Sequence, residues 1–93
     1  MGVKMLGISF FSNRVASQMF KKGFPPKELP KNEFFIPLCN ALKANGYSAE
    51  GAANLWIRML SNNNSDKEAI RELYENTGSV AVILLGPIEK FTP

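Results

Sequence analysis

Between Ser48 and Ser61 the polar positions thin to a single row. Glu50, Asn54 and Arg58 recur every fourth residue, while Ala52, Ala53, Leu55, Trp56, Ile57, Met59 and Leu60 fill the other faces. A helix apolar over so much of its circumference is covered by neighbours on several sides, so this segment is expected to be the spine of the fold. Ser48 precedes it as an N-cap.

The segments before the spine carry their own punctuation. Val3 to Phe11 alternates loosely, Val3, Met5 and Phe11 running out of phase with Leu6, Ile8 and Phe10, and its Ile and Phe content favours a strand. Ser12 then reads as the cap of a helix from Arg14 to Lys22, with Val15, Ala16, Met19 and Phe20 inward and Gly23 as its left-handed terminator. Residues 24–31 hold three prolines, which lack amide donors and hold their predecessors extended, so a proline-rich connector is expected there. Asn32 caps the next helix, Pro37 falls in or near its first turn, Leu38, Ala41 and Leu42 face inward, and Gly46 ends it.

After the spine, 62–65 reads as a turn. Ser65 and Glu68 have capping-box spacing at the head of a helix that runs to about Asn76, with Ala69, Ile70, Leu73 and Tyr74 inward and Gly78 beyond its end. Val80 to Leu85 is continuously apolar and bounded by Gly78 and Gly86-Pro87, the pattern of a strand covered on both faces, with a buried helical turn as the alternative. Residues 88–93 form a C-terminal tail tied down by Ile88 and Phe91. The expected architecture is thus a small helix-rich α+β domain, one globular unit over residues 1–93, in the order β-α-α-α-α-β. An all-α helical bundle is the alternative if the first segment is helical. Two strands make a marginal sheet, so they either pair at the centre of the domain or complete a sheet with a second copy, which points to a symmetric homodimer.

Composition narrows the setting. Ninety-three residues suffice for one core and not two. The longest apolar run has six residues, against the roughly 20 that a membrane span requires, so no membrane partner is expected. A single cysteine, Cys39, forms no internal disulfide and fits a reducing, cytoplasmic setting. Charge is polarised: seven cations against two carboxylates up to Tyr47, then four against six from Ser48 onward. Such asymmetry bears on partners and association rates.

Chemistry is constrained chiefly by the absence of histidine. Without it there is no Ser-His-acid or Cys-His nucleophile, and one cysteine leaves no zinc site of the Cys/His kind. The glycines stand singly at helix ends, not in a phosphate-cradling pattern. No catalytic, cofactor-binding or metal-binding residue is therefore assigned, and the chain is not expected to be an enzyme.

Two surfaces remain. Lys21, Lys22, Lys27 and Lys31, interleaved with Phe24 and prolines, form a basic region able to meet phosphates and stack on bases, or to dock in a protein groove. Glu68, Glu72 and Glu75 line one helical face as an acidic docking strip, to be weighed against a solvated face, since Lys67 and Arg71 interleave at ion-pair spacing. Ala41 to Leu55, a helix ending in glycine followed by a capped Ala-rich helix, resembles the lead-in to a helix-turn-helix, but the acidic helix that follows would repel phosphate. The leading expectation is a non-enzymatic protein-binding module, a small inhibitor, adaptor or regulatory protein of the phage or mobile-element type that acts on a host machine. The alternative is a nucleic-acid-binding protein using Lys21 to Lys31.

Overall fold

Phe11, Val15 and Met19, four residues apart, make an unbroken buried ridge, and the helix that carries them is the longest of the fold. A computed structural model describes residues 3–61 and 66–91, with side chains described from Phe11 to Lys90 within that range. Five α-helices follow in order: α1 (Val3–Lys21), α2 (Asn32–Ala44), α3 (Ala49–Ser61), α4 (Lys67–Thr77) and α5 (Ser79–Leu85). Short 3-10 turns stand at Pro26–Glu28 and Ile88–Phe91. α1 packs along α3 and against α2, while α4 packs on α2, α3 and α5. Val15, Met19, Leu38, Cys39, Leu42 and Leu73 lie at the centre with essentially no exposed surface.

The α+β expectation is overturned: there is no strand among the described residues, and the order is all-helical. Residues 3–11 continue into α1 without interruption. Ser12, expected as a cap, is buried inside that helix, and Asn13 and Arg14 lie on its exposed side. The period-four ridge packed on the rest of the core outweighs a weak strand preference. At the other end, a strand at Val80–Leu85 would need a ladder partner for its amides and carbonyls, and the described residues supply none. A helix satisfies them locally: the Val82 N–H donates to the Gly78 carbonyl at 3.4 Å and the Gly86 N–H to the Val82 carbonyl at 2.9 Å. Nor is this run covered on both faces, since only Ala81 of α5 is buried. With both strands gone, sheet completion no longer argues for a homodimer.

Helix ends follow the chain's punctuation more closely. At the end of α1 the Phe24 N–H donates to the Met19 carbonyl and the Gly23 N–H to that of Phe20, both at 3.0 Å, with Gly23 at φ +91°. This is a Schellman closure, and the buried Phe24 and Met19 side chains supply its apolar contact. Gly46, at φ +92°, closes α2 the same way, its N–H reaching Lys43 and that of Tyr47 reaching Leu42. Ser48 caps α3 as expected, its Oγ accepting from the Gly51 N–H at 3.0 Å.

Three local expectations are corrected. Lys31, not Asn32, occupies the cap position of α2, and Pro37 lies inside the helix rather than in its first turn. The cap of α4 is Asp66, whose carboxylate accepts from the Ala69 N–H at 3.0 Å; the turn over 62–65 and the Ser65 half of the capping box lie outside the described residues. The proline connector contains a 3-10 turn, and Phe24 at its head is a core residue. The start of the C-terminal tail is held down: Ile88 packs on the core and the Tyr74 hydroxyl donates to the Gly86 carbonyl at 2.7 Å. Residues 92–93 lie outside the described range.

Candidate functional site

A cavity of about 200 Å³ lies where four helices meet. Pro30 of the connector and Phe34 of α2 form one wall, Trp56, Met59 and Leu60 of α3 the floor, Ile70 and Tyr74 of α4 the opposite wall, and Leu85 closes the α5 side. All but Pro30 come from helices that pack on the core. The Tyr74 hydroxyl, bonded to Gly86, anchors the end of α5 beside Leu85. Asn45 Nδ2 bridges the Ala41 carbonyl at 3.0 Å and the Asn76 carbonyl at 2.6 Å, locking the ends of α2 and α4 together.

The spine supplies the site's centre. Trp56 is 3% exposed and packs on Phe35 at 5.3 Å between ring centroids, tilted by 50°. Its indole N–H is buried with no hydrogen-bond partner among the described residues. The nearby Cys39 sulfur is a soft acceptor that interacts with the indole without forming a properly directed bond. Burial pushes the Cys39 thiol up to about 12, and the Trp56 contact only partly opposes this. Cys39 is thus a small apolar core residue and not a nucleophile at neutral pH.

Outside the cavity, α5 presents apolar surface to solvent. Val82 is 47% exposed and Ile83 79%. Val82 precedes Leu85 by three residues and shares its side of the helix, so the apolar lining continues outward along α5.

The polar row of the spine is exposed, and its two charged members, Glu50 and Arg58, are partnered. Glu50 meets Lys22 at 3.3 Å, tying α3 to the end of α1. Arg58 holds Asp66 at 3.1 and 3.3 Å and Glu72 at 3.6 Å, and Glu72 also accepts from the Tyr47 hydroxyl. The Arg58 guanidinium, helped by the Ala69 amide, lowers the Asp66 carboxyl below its usual range. Burial, then the bond to Glu72, pushes the Tyr47 phenol up to about 12.

The residues singled out from sequence are not brought together into one site. Lys21, Lys27 and Lys31 are exposed around the connector, but Lys22 is engaged by Glu50 and Phe24 is buried, so its ring is not on the surface. Phe20, 40% exposed, is the aromatic that the basic region does present. In the acidic strip Glu68 and Glu75 are exposed, while Glu72 belongs to the Arg58 and Tyr47 cluster. No group of three or more His, Cys, Asp or Glu among the described residues is placed to hold a metal ion. No helix among them is long and apolar enough to cross a membrane.

The cavity was not read from the sequence, because its walls come from five separate stretches. The one hint was the spine's apolar girth, which exceeds what its neighbours cover: Ile57, Met59 and Leu60 are only half-buried. Among the described residues, fold and site together define a domain of five α-helices with an apolar cavity at the junction of four of them. No family model, curated protein or solved structure matches this chain.

Proposed function

We propose that the chain is a non-enzymatic protein-binding module, of the inhibitor, adaptor or regulatory kind, that takes one bulky apolar side chain of its partner into the cavity. The observation that carries this reading is the cavity itself: an apolar recess of about 200 Å³ whose Leu85 edge is continued along α5 by the exposed Val82, one turn away. Contiguous apolar surface around a recess is what a protein-contact anchor pocket requires. The lack of histidine and of a phosphate-cradling motif supports a role in binding rather than catalysis.

Selection from a random peptide library tests it. Enriched peptides should share a bulky apolar residue, compete with one another, and lose affinity when Leu60→Phe fills the cavity. Selection without a consensus, or binders indifferent to Leu60→Phe, would overturn the reading. A second reading, nucleic-acid binding around Lys21, Lys27 and Lys31, draws on the exposed Phe20 beside Lys21. An oligonucleotide shift at low salt, abolished by Lys21→Glu with Lys27→Glu, would favour it.

A further inference from the structure

Asn45 joins two helices through its side-chain amide. Its Nδ2 donates back to the Ala41 carbonyl at 3.0 Å and across to the Asn76 carbonyl at 2.6 Å. Asn76 lies in the last turn of α4, where backbone carbonyls have no intrahelical donor. Both partners are acceptors, so the position needs a pair of donors, which an amide has and an ionised carboxyl lacks. The residue that follows is Gly46, and Asn45 is the chain's only asparagine with glycine after it. That pair is chemically labile, because a glycine amide nitrogen, with no Cβ to crowd it, is able to attack the side-chain carbonyl carbon of the asparagine before it.

The fold holds both reacting groups away from this step. The Gly46 N–H donates to the Lys43 carbonyl at 3.0 Å, which occupies the proton that must leave, while Nδ2 is held on its two carbonyls. Crowding is not the barrier: Asn45 is exposed, and nothing lies within 4 Å of the place a Cβ on Gly46 would occupy.

We infer that Asn45-Gly46 is a modification site, at which deamidation, shut off while the α2 to α4 junction is closed, turns the lock into a repulsive contact. When the junction opens, the Gly46 nitrogen gives up its proton and bonds to Cγ of Asn45. The bond from Cγ to Nδ2 breaks, and ammonia leaves with that proton. Solvent water then opens the cyclic imide to aspartate or isoaspartate. The product sets a negative charge at the C-terminal, negative ends of two helices and re-forms neither bond, so the opening becomes permanent. This site is independent of the cavity and of its occupant.

The full chain, folded or in urea, is incubated at mildly alkaline pH beside a synthetic peptide spanning residues 43–48, and conversion at Asn45 is followed by peptide mass spectrometry. In urea the chain should convert at the rate of the peptide. Folded, it should convert at least about tenfold more slowly, since the reactive form is then the minor, opened one. Asn45→Asp supplies the aspartate product directly. Loss of two hydrogen bonds should shift its unfolding equilibrium about tenfold or more, read as a lower urea midpoint with an unchanged slope. A folded chain that converts as fast as the peptide would show that the junction guards nothing, and an Asn45→Asp chain as stable as the parent would show that conversion unlocks nothing. Either result overturns the inference.

Discussion

Ala81 and Ile83 lie two residues apart, and the same substitution at each separates the helical reading of α5 from a strand. On a strand the two side chains share a face; on a helix they are about 200° apart. Ala81 has no exposed surface, whereas Ile83 is 79% exposed. Fully burying an Ile is worth about 1.5–3 kcal/mol, and Ile83 is only about one-fifth buried, so Ile83→Lys forfeits about 0.3–0.6 kcal/mol. The better helix propensity of Lys, and a cation near a helix C-terminus, return a few tenths. The net change should lie within about 0.5 kcal/mol. Ala81→Lys, by contrast, forces a long stem and an ammonium group into a site with no room and no counter-ion, at a cost of about 3 kcal/mol or more. For a domain with about 5–14 kcal/mol of total stability that is a large fraction. Urea unfolding followed by helical circular dichroism and Trp56 emission measures both. Comparable losses at the two positions would refute the helical placement of α5.

Other consequences follow from the core and the polar clusters. Leu73→Ala, at a site with no exposed area, should cost about 3 kcal/mol or more, read as a lower urea midpoint with an unchanged slope. Asp66 titrates below its ordinary value of 3.8 in the folded chain, so its contribution is present above that pH and lost as pH falls through the folded value; Asp66→Asn should flatten this acid limb. Tyr47 behaves oppositely: its folded pKa is raised from 10.0 to about 12, so its contribution is complete below pH 10 and lost as pH rises through 12, a limb that Tyr47→Phe should remove. Cys39, buried and with its thiol raised to about 12, should react with a disulfide reagent at pH 8 only as the chain unfolds. Labelling within the mixing time would contradict its burial.

What the sequence disclosed divides by range. Gly23 and Gly46 mark helix ends because a left-handed terminator is a property of one residue and its immediate carbonyls, and Ser48 marks a start for the same reason. The extent of α3 was equally legible. The two terminal strands failed because local residue preference stood in for tertiary pairing. Ile and Phe between Val3 and Phe11 suit a strand, but no partner strand exists among the described residues, and the ridge of Phe11, Val15 and Met19 had a helix to pack on. The Lys22 to Glu50 and Arg58 to Glu72 pairs, which determine how much of each charged surface is free, span separate helices. No spacing along the chain encodes them.

The spine also explains why the cavity lies where it does. Its first two turns carry Ala49, Ala52 and Ala53, all buried, and side chains this small let neighbouring helices approach closely. Its last two turns carry Trp56, Met59 and Leu60, where the indole holds its neighbours at ring distance and the two flexible side chains stay half-exposed. Size therefore increases along a single helix, tight against the core at the start and propped open at the end. Pro30 and Phe34 come to the open end from a connector that follows the Schellman closure at Gly23 and a helix start whose first amides, of Phe34 and Phe35, donate to the Lys31 carbonyl. The recess thus follows from the gradient of side-chain size along α3, and an occupant that meets a surface already in place has less ordering to do than one that enters a mobile groove.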